Sequence, residues 1–204
     1  MFAFFSDELR DLPHWQASGE IELWYYDESG FQLNPNGLYA WQAPDSQATL
    51  PAQRGNVLTV AGFLTIDNRF EGYYHQAAMD AELFIAYFDD FIGQRVSKKT
   101  VVVIDRASFH TAHQVQQKIK QWQAQNVLIQ LLPAYSSDLN LIEHLWRLIK
   151  HHCLPISAWQ SAQQLTQQVL DILKISEPPI ESILLDLECS QSSIVLLQKY
   201  VQFV

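Results

Sequence analysis

At 204 residues the chain is long enough for one well-buried domain and short for two. A hydrophobic fraction of 48% and six tryptophans exclude a disordered chain, and no run of about 18 apolar residues offers a membrane span. The net charge of −9 speaks against nucleic acid at first sight, yet residues 95–150 hold eight Lys or Arg against three acids, enough to meet a phosphate backbone locally.

The start, MFAFFSDELRD, lacks the basic segment of a secretory signal. Cys153 and Cys189 are too few for a disulfide framework, so the expected setting is reducing and cytoplasmic. IELWYYDESGF (21–31), rich in aromatic and β-favouring residues, is predicted as a strand ending at Ser-Gly. NPNG then signals a turn, with GLYAWQ (37–42) as a hairpin partner. NVLTVAGFLTIDNRFEGYYH (56–75) reads as two strands around a turn at Asp67-Asn68. AMDAELFIAYFDDFI (78–92) places Leu83, Phe84, Tyr87, Phe88 and Phe91 at helical spacing. TVVVID (100–105) is a β-branched run, as expected of a strand buried on both faces. Val115, Ile119 and Trp122 mark a helix over 111–125, and VLIQLLP (127–133) is a further strand. LLPAYSSDLNLIEHLWRLIK (131–150) opens another helix, and SAQQLTQQVLDILK (161–174) begins with a capping box of Ser161 and Gln164. Antiparallel strands followed by alternating helices and strands imply a mixed α/β sheet with helices on both sides.

Three carboxylates sit where these elements end or begin. Asp27 is placed at the end of the first predicted strand and Asp105 at the end of the buried parallel strand, where ligand sites of mixed sheets tend to lie. Two such aspartates repel unless a cation lies between them, and hard oxygen donors without a thiolate or imidazole cluster favour Mg²⁺ or Mn²⁺. Glu143 is the third candidate ligand. On its helix Leu141, Leu145, Leu148 and Ile149 are the expected inward stripe. Asn140, Glu143, His144, Arg147, Lys150 and His151 form a polar stripe that offers a carboxylate to metal and cations to phosphate. The competing reading of Glu143 is a surface pair with Arg147.

YYDESGF, VVVIDRASFH and LLPAYSSDLNLIEHLWRLIK resemble, in that order, the three catalytic blocks of DDE transposases of the mariner-like superfamily and its bacterial insertion-sequence relatives. The third block is long and specific, and the likeness spans roughly residues 20–175. It implies an RNase H-like fold, a mixed sheet of about five strands flanked by helices. It also implies a catalytic triad of Asp27, Asp105 and Glu143 holding two Mg²⁺ (or Mn²⁺) ions, with metal-dependent DNA cleavage and strand transfer as the activity. The substrates implied are transposon ends and target DNA, bound by a homodimer and contacted by Arg106, His110, Asn140, Arg147 and Lys150. His110 is read either as a group that orients the site or contacts phosphate, or as a hydrogen-bonded structural histidine at a strand-to-helix turn. Glu28, beside Asp27, is either a supporting group or a solvent-facing neighbour. Trp41 is the aromatic best placed to stack on a DNA end.

The chain departs from the family pattern at Arg106, which replaces an Asn, and at Ala134, Ser137 and Leu141, which replace prolines. Arg106 is expected to meet DNA or the Asp105 carboxylate, and Ser137 or Asp138 to cap the helix that Leu141 enters without a proline. The expected organisation is one catalytic domain over 1–204, with a core of about 20–175 and a helical tail over 176–204. Helix-turn-helix domains are expected to be absent, the chain being either a catalytic half of a split or frameshifted gene, with a separate helix-turn-helix subunit, or a truncated copy. The alternative is a decayed or domesticated noncatalytic domain acting in dimerisation or partner binding.

Overall fold

The computed structural model describes residues 6–33, 56–76, 78–133 and 136–174. Its elements are α1 (Ser6–Ala17), β1 (Glu22–Gln32), β2 (Asn56–Thr65), β3 (Phe70–His75), α2 (Ala81–Arg95), β4 (Thr100–Ile104), α3 (His113–Ala124), β5 (Val127–Leu131), α4 (Leu141–Leu148) and α5 (Ala162–Leu173). The five strands form one sheet in the order β3-β2-β1-β4-β5. β1 and β2, and β2 and β3, pair antiparallel, whereas β4 pairs parallel to both β1 and β5. The expected hairpin at 37–42 with Trp41, the tail over 176–204, Cys189 and Ala134 lie outside the described residues.

Strand alternation sorts the sheet's side chains into two cores. Leu23, Tyr25, Val101 and Val103 face one layer with Leu12 of α1, Ile142, Leu145 and Trp146 of α4, and Leu165 and Val169 of α5. Trp24, Tyr26, Phe63, Val102 and Ile104 face the other, against Phe84, Phe88 and Phe91 of α2 and Val115 and Trp122 of α3. All five residues of β4 are buried, as a β-branched strand covered on both faces requires. Burying each such Val or Ile contributes roughly 1.5–3 kcal/mol. Phe63 stacks flat on Phe91, with ring centroids 4.0 Å apart.

Local signals account for most element ends. Asp80 caps α2 by accepting from the backbone N–H groups of Glu82 and Leu83 at 3.0 and 2.9 Å. Ser161 accepts from the Gln164 N–H at 3.1 Å and caps α5 as the capping box predicts. Asn68 takes a left-handed conformation (φ 67°) in the turn between β2 and β3. Helix α1 is an addition to the sequence reading; Pro13 within it masks the helical pattern.

Gly62 shapes the sheet beside the future site. It lies opposite Asp27 in the β1–β2 ladder and opposite Gly72 in the β2–β3 ladder. A Cβ built at Gly62 would stand 2.6 Å from a Phe70 ring carbon and 3.0 Å from Ile142 Cδ1 of α4. The missing side chain therefore lets α4 settle close to the sheet. Gly62→Ala is expected to destabilise the domain by roughly 1–3 kcal/mol, read as a lower midpoint in urea denaturation. An unchanged midpoint would show that Phe70 and Ile142 yield freely.

Candidate active site

β1 extends through Gln32, so Asp27 is not at the strand's end as the sequence suggested. The two edges of β1 differ: its antiparallel ladder with β2 runs past Asp27, while its parallel ladder with β4 stops at Tyr25↔Val103. Two residues beyond that last pair, on the same register, come Asp27 on β1 and Asp105 after β4. Both share the facing of Tyr25 and Val103, toward the layer that holds α4. The buried Val run thus delivers Asp105 level with Asp27, beyond the last β1–β4 pair, and Asp27's one ladder partner there, Gly62, has no side chain to cover it.

Asp27 is half-buried, and its carboxyl is pushed up to about 8. Burial is the main cause, and the charges of Glu28, Glu143 and Asp105 add to it against a backbone hydrogen bond that lowers it. Asp105 behaves oppositely and is held below its ordinary range. The hydrogen bond from His110 is the main cause; burial opposes it and the Ala107 N–H assists. His110 Nδ1 lies 2.9 Å from Asp105 Oδ1, and the Ala107 N–H donates to that same oxygen at 2.9 Å.

Glu143 enters from the first turn of α4 and is half-buried. Its placement rests on Asn140, whose side-chain Nδ2 donates to the Tyr26 carbonyl at 3.0 Å, immediately before Asp27. Asn140 takes the N-cap position without a side-chain cap bond, and the expected capping residue Asp138 belongs to a preceding 3₁₀ turn, Ser137–Leu139; the Ser137 side chain lies outside what the structure describes. The buried face of α4 is Ile142, Leu145, Trp146 and Ile149, not the expected Leu141, Leu145, Leu148 and Ile149; Leu141 and Leu148 are half-buried. After Leu148 the helix widens into a π turn, Ile149–Cys153, closed by the Leu154 N–H on the Ile149 carbonyl at 3.2 Å. Within it Lys150 Nζ rests 5.3 Å from the centre of the Phe31 ring. Burial lowers the Lys150 ammonium, while the charges of Asp27 and Glu143 oppose that shift. Lys150 is therefore within electrostatic reach of two of the three acids.

The other residues expected to contact DNA divide into surface and interior. Arg147 is 52% exposed, pairs with Asp138 at 3.6 Å and meets His144 Nδ1 at 3.1 Å. No Glu143–Arg147 pair forms among the described residues. Arg106 is exposed, but its Nε donates to the Leu132 carbonyl at 2.8 Å and thereby anchors the exit from β5, while Asp105 is engaged by His110 instead. Asn140 is 1% exposed, and the His110 side chain has no exposed surface. The structure thus places both inside, because the first ties α4 to β1 and the second packs at 4.6 Å from Phe84 and 4.4 Å from Phe109. Glu28 emerges as a partner of His110 Nε2 at 3.3 Å. A reading of strand alternation alone could place Glu28 on the α2 face but not its partner.

The donor set fits a hard divalent cation. Four carboxylates, from Asp27, Glu28, Asp105 and Glu143, act on one region that holds two cationic groups, His110 and Lys150. The Asp27 carboxylate is met by a backbone hydrogen bond at Glu28 that does not offset burial and the neighbouring acids, and a cation would favour its ionised form. Among the described residues no three of His, Cys, Asp and Glu are drawn together closely enough to hold an ion as they stand, in keeping with their mutual repulsion.

Comparison with solved structures places the fold. The Mos1 transposase paired-end complex with the left transposon end superposes with a TM-score of 0.56 at 15% identity, over 98% of this chain and 62% of that one. The Mos1 mariner paired-end complex with Mn gives 0.57 at 16% identity, over 95% and 58%. The isolated catalytic domain of Mos1 mariner transposase gives 0.52 at 12% identity, over 98% and 93%. The chain thus spans less than two thirds of the full-length Mos1 chains and nearly all of their catalytic domain, and its fold is RNase H-like. No curated protein matches the sequence. The family model for the DDE superfamily endonuclease matches residues 22–166, well over half of the chain and inclusive of Asp27, Asp105 and Glu143. The chain belongs to the DDE superfamily endonuclease family.

Proposed function

We propose that this chain is the catalytic domain of a DDE transposase, which cleaves DNA phosphodiester bonds and joins strands using Asp27, Asp105 and Glu143. The observation that carries the reading is the convergence of charge on Asp27, which feels Glu143 from α4 and Asp105 from the end of β4 together. Two divalent ions, Mg²⁺ or Mn²⁺, would supply Lewis-acid stabilisation of phosphoryl oxygens and a nucleophile at neutral pH. The protein's own part is positioning. Asn140 holds the first turn of α4 on β1, and Gly62 lets that helix approach. Arg147 and Lys150 line the polar side of the same helix and its π turn, where a phosphate backbone would meet cations. Arg106, at the exit from Asp105, is a further DNA contact. Solved relatives named as complexes with transposon ends, and with Mn or Mg, support DNA and divalent ions as the partners. We assign transposon ends and target DNA as substrates, a homodimer as the DNA-bound form, and sequence recognition to a helix-turn-helix subunit.

Supercoiled plasmid incubated with the chain and Mg²⁺ or Mn²⁺ should be nicked. A chelator should stop the reaction, and Glu143→Gln should lower it by at least about 10³-fold, the scale expected for losing a group that acts only in the transition state. Nicking that survives in Glu143→Gln, or that needs no divalent ion, would defeat the assignment.

A further inference from the structure

His110 is engaged at both ring nitrogens by carboxylates that belong to opposite faces of the sheet. Nδ1 lies 2.9 Å from Asp105 Oδ1 and 3.1 Å from the Asp105 carbonyl; Nε2 lies 3.3 Å from Glu28 Oε1. The ring is walled by Phe84 and Phe109 at 4.6 and 4.4 Å, and Tyr26 stands edge-on at 6.1 Å. A ring held at one nitrogen can pivot about the other, whereas one held at both ends inside an aromatic slot cannot. Glu28 shares the facing of Tyr26, opposite to Asp27, so it does not join the carboxylates on the α4 side. Its side chain is 12% exposed and its hydrogen bond toward the site runs through the imidazole, while its charge is also felt at Asp27.

The consequence falls on Asp105, which is 45% exposed and follows the last residue of its strand, where no ladder fixes it. His110 and the Ala107 N–H both occupy Oδ1, and Oδ2 has no partner among the described residues. We propose that Glu28 and His110 are a positioning pair that locks the Asp105 carboxylate through Oδ1 and so reserves Oδ2 for a divalent cation. The proposal rests on the DDE reading of the site and adds two residues to it. Neither of them touches the ion: Glu28 acts through His110, and His110 through Asp105. Groups that orient a metal ligand in this way typically change metal affinity 10- to 100-fold when removed.

The test is Mn²⁺ binding to the full chain by isothermal calorimetry, with Glu28→Gln as the main variant because it keeps shape while weakening the grip on the imidazole. Glu28→Gln and His110→Gln should each weaken Mn²⁺ binding about 10-fold. In an Asp105→Asn background Glu28→Gln should cause a further loss well below about 10-fold, since the path through His110 is already cut and only the Glu28 charge felt at Asp27 remains. Wild-type-like binding in both single variants, with loss only in Asp105→Asn, would overturn the positioning pair and leave the DDE reading standing. Wild-type Mn²⁺ binding that is absent or independent of Asp105 would overturn both. Should the variants unfold, nitrogen NMR of the wild-type chain decides: Mg²⁺ must shift the His110 ring resonances, and unmoved resonances overturn the proposal.

Discussion

Asp27→Asn is expected to stabilise the metal-free domain at pH 8 while reducing metal-dependent nicking to background, a loss of at least about 10³-fold. The two effects share one cause. The Asp27 carboxyl is pushed up to about 8 by burial and by Glu28, Glu143 and Asp105. Between the ordinary value of 3.8 and about 8 the folded state keeps a proton that the unfolded chain releases, so folding becomes less favourable as pH rises through that window. Asparagine cannot ionise and escapes this penalty. Discounted for partial solvent access, the gain is on the order of 2 kcal/mol at pH 8, vanishing near pH 4. For a chain of this size that corresponds to a rise of roughly 4–8 °C in melting temperature. Mg²⁺ should raise the melting temperature of the wild type at pH 8 and leave that of Asp27→Asn unchanged. A variant that melts below wild type at pH 8, or that nicks DNA at the wild-type rate, would contradict this account of the site.

His110→Leu is the second large effect, here on stability. His110 is pushed up to about 9; burial lowers it, but the hydrogen bonds it donates to Asp105 and Glu28 outweigh that. Its contribution to stability is therefore complete below the unfolded value of about 6.5 and is lost as pH rises through about 9. Asp105, held below its ordinary range, contributes above the unfolded carboxylate value and loses that share as pH falls through its lower folded value. Leucine fits the aromatic slot but leaves two carboxylates without their shared partner, at a cost of about 3 kcal/mol near pH 6. The gap between wild type and variant should narrow toward pH 3 and again toward pH 10. The Asp27 trend is present in both proteins and cancels in the difference. Urea denaturation at those three pH values measures it. A gap that stays constant with pH would mean that packing alone, and not the ion pairs, is lost.

The elements that carry the three acids are legible in the sequence because each is local: a β-branched run ending in Asp105, an aromatic strand carrying Asp27, and a helix with Glu143 in its first turn. What local pattern could not supply was the partner on the other edge. β1 outruns its parallel neighbour because β2 continues to pair with it, so Asp27 lies within a strand and still at the end of a ladder. Asn140 reads as a surface group for DNA, and His110 as either a site or phosphate group or a structural histidine, because polarity marks a residue as reactive without saying which way it faces. Both spend their polarity on the interior, one on the Tyr26 carbonyl and the other on two carboxylates. The inward face of α4 departs from the leucine spacing at two positions, Ile142 and Trp146 standing in for Leu141 and Leu148, since Ile142 packs over the gap at Gly62 and Trp146 meets the Phe70 ring edge-on. That gap did have a signal: an isolated glycine inside a strand pattern marks a close approach.

The Asn140–Tyr26 hydrogen bond joins residues 114 positions apart. Closing a loop of that length costs about 4 kcal/mol of chain entropy before any contact repays it, so the bond belongs among the late events of folding. During synthesis the strands carrying Asp27 and Asp105 emerge well before α4, and until that helix docks the third acid is absent. A nascent or partly opened chain therefore carries two of the three proposed acids, and the site is complete only once α4 has docked.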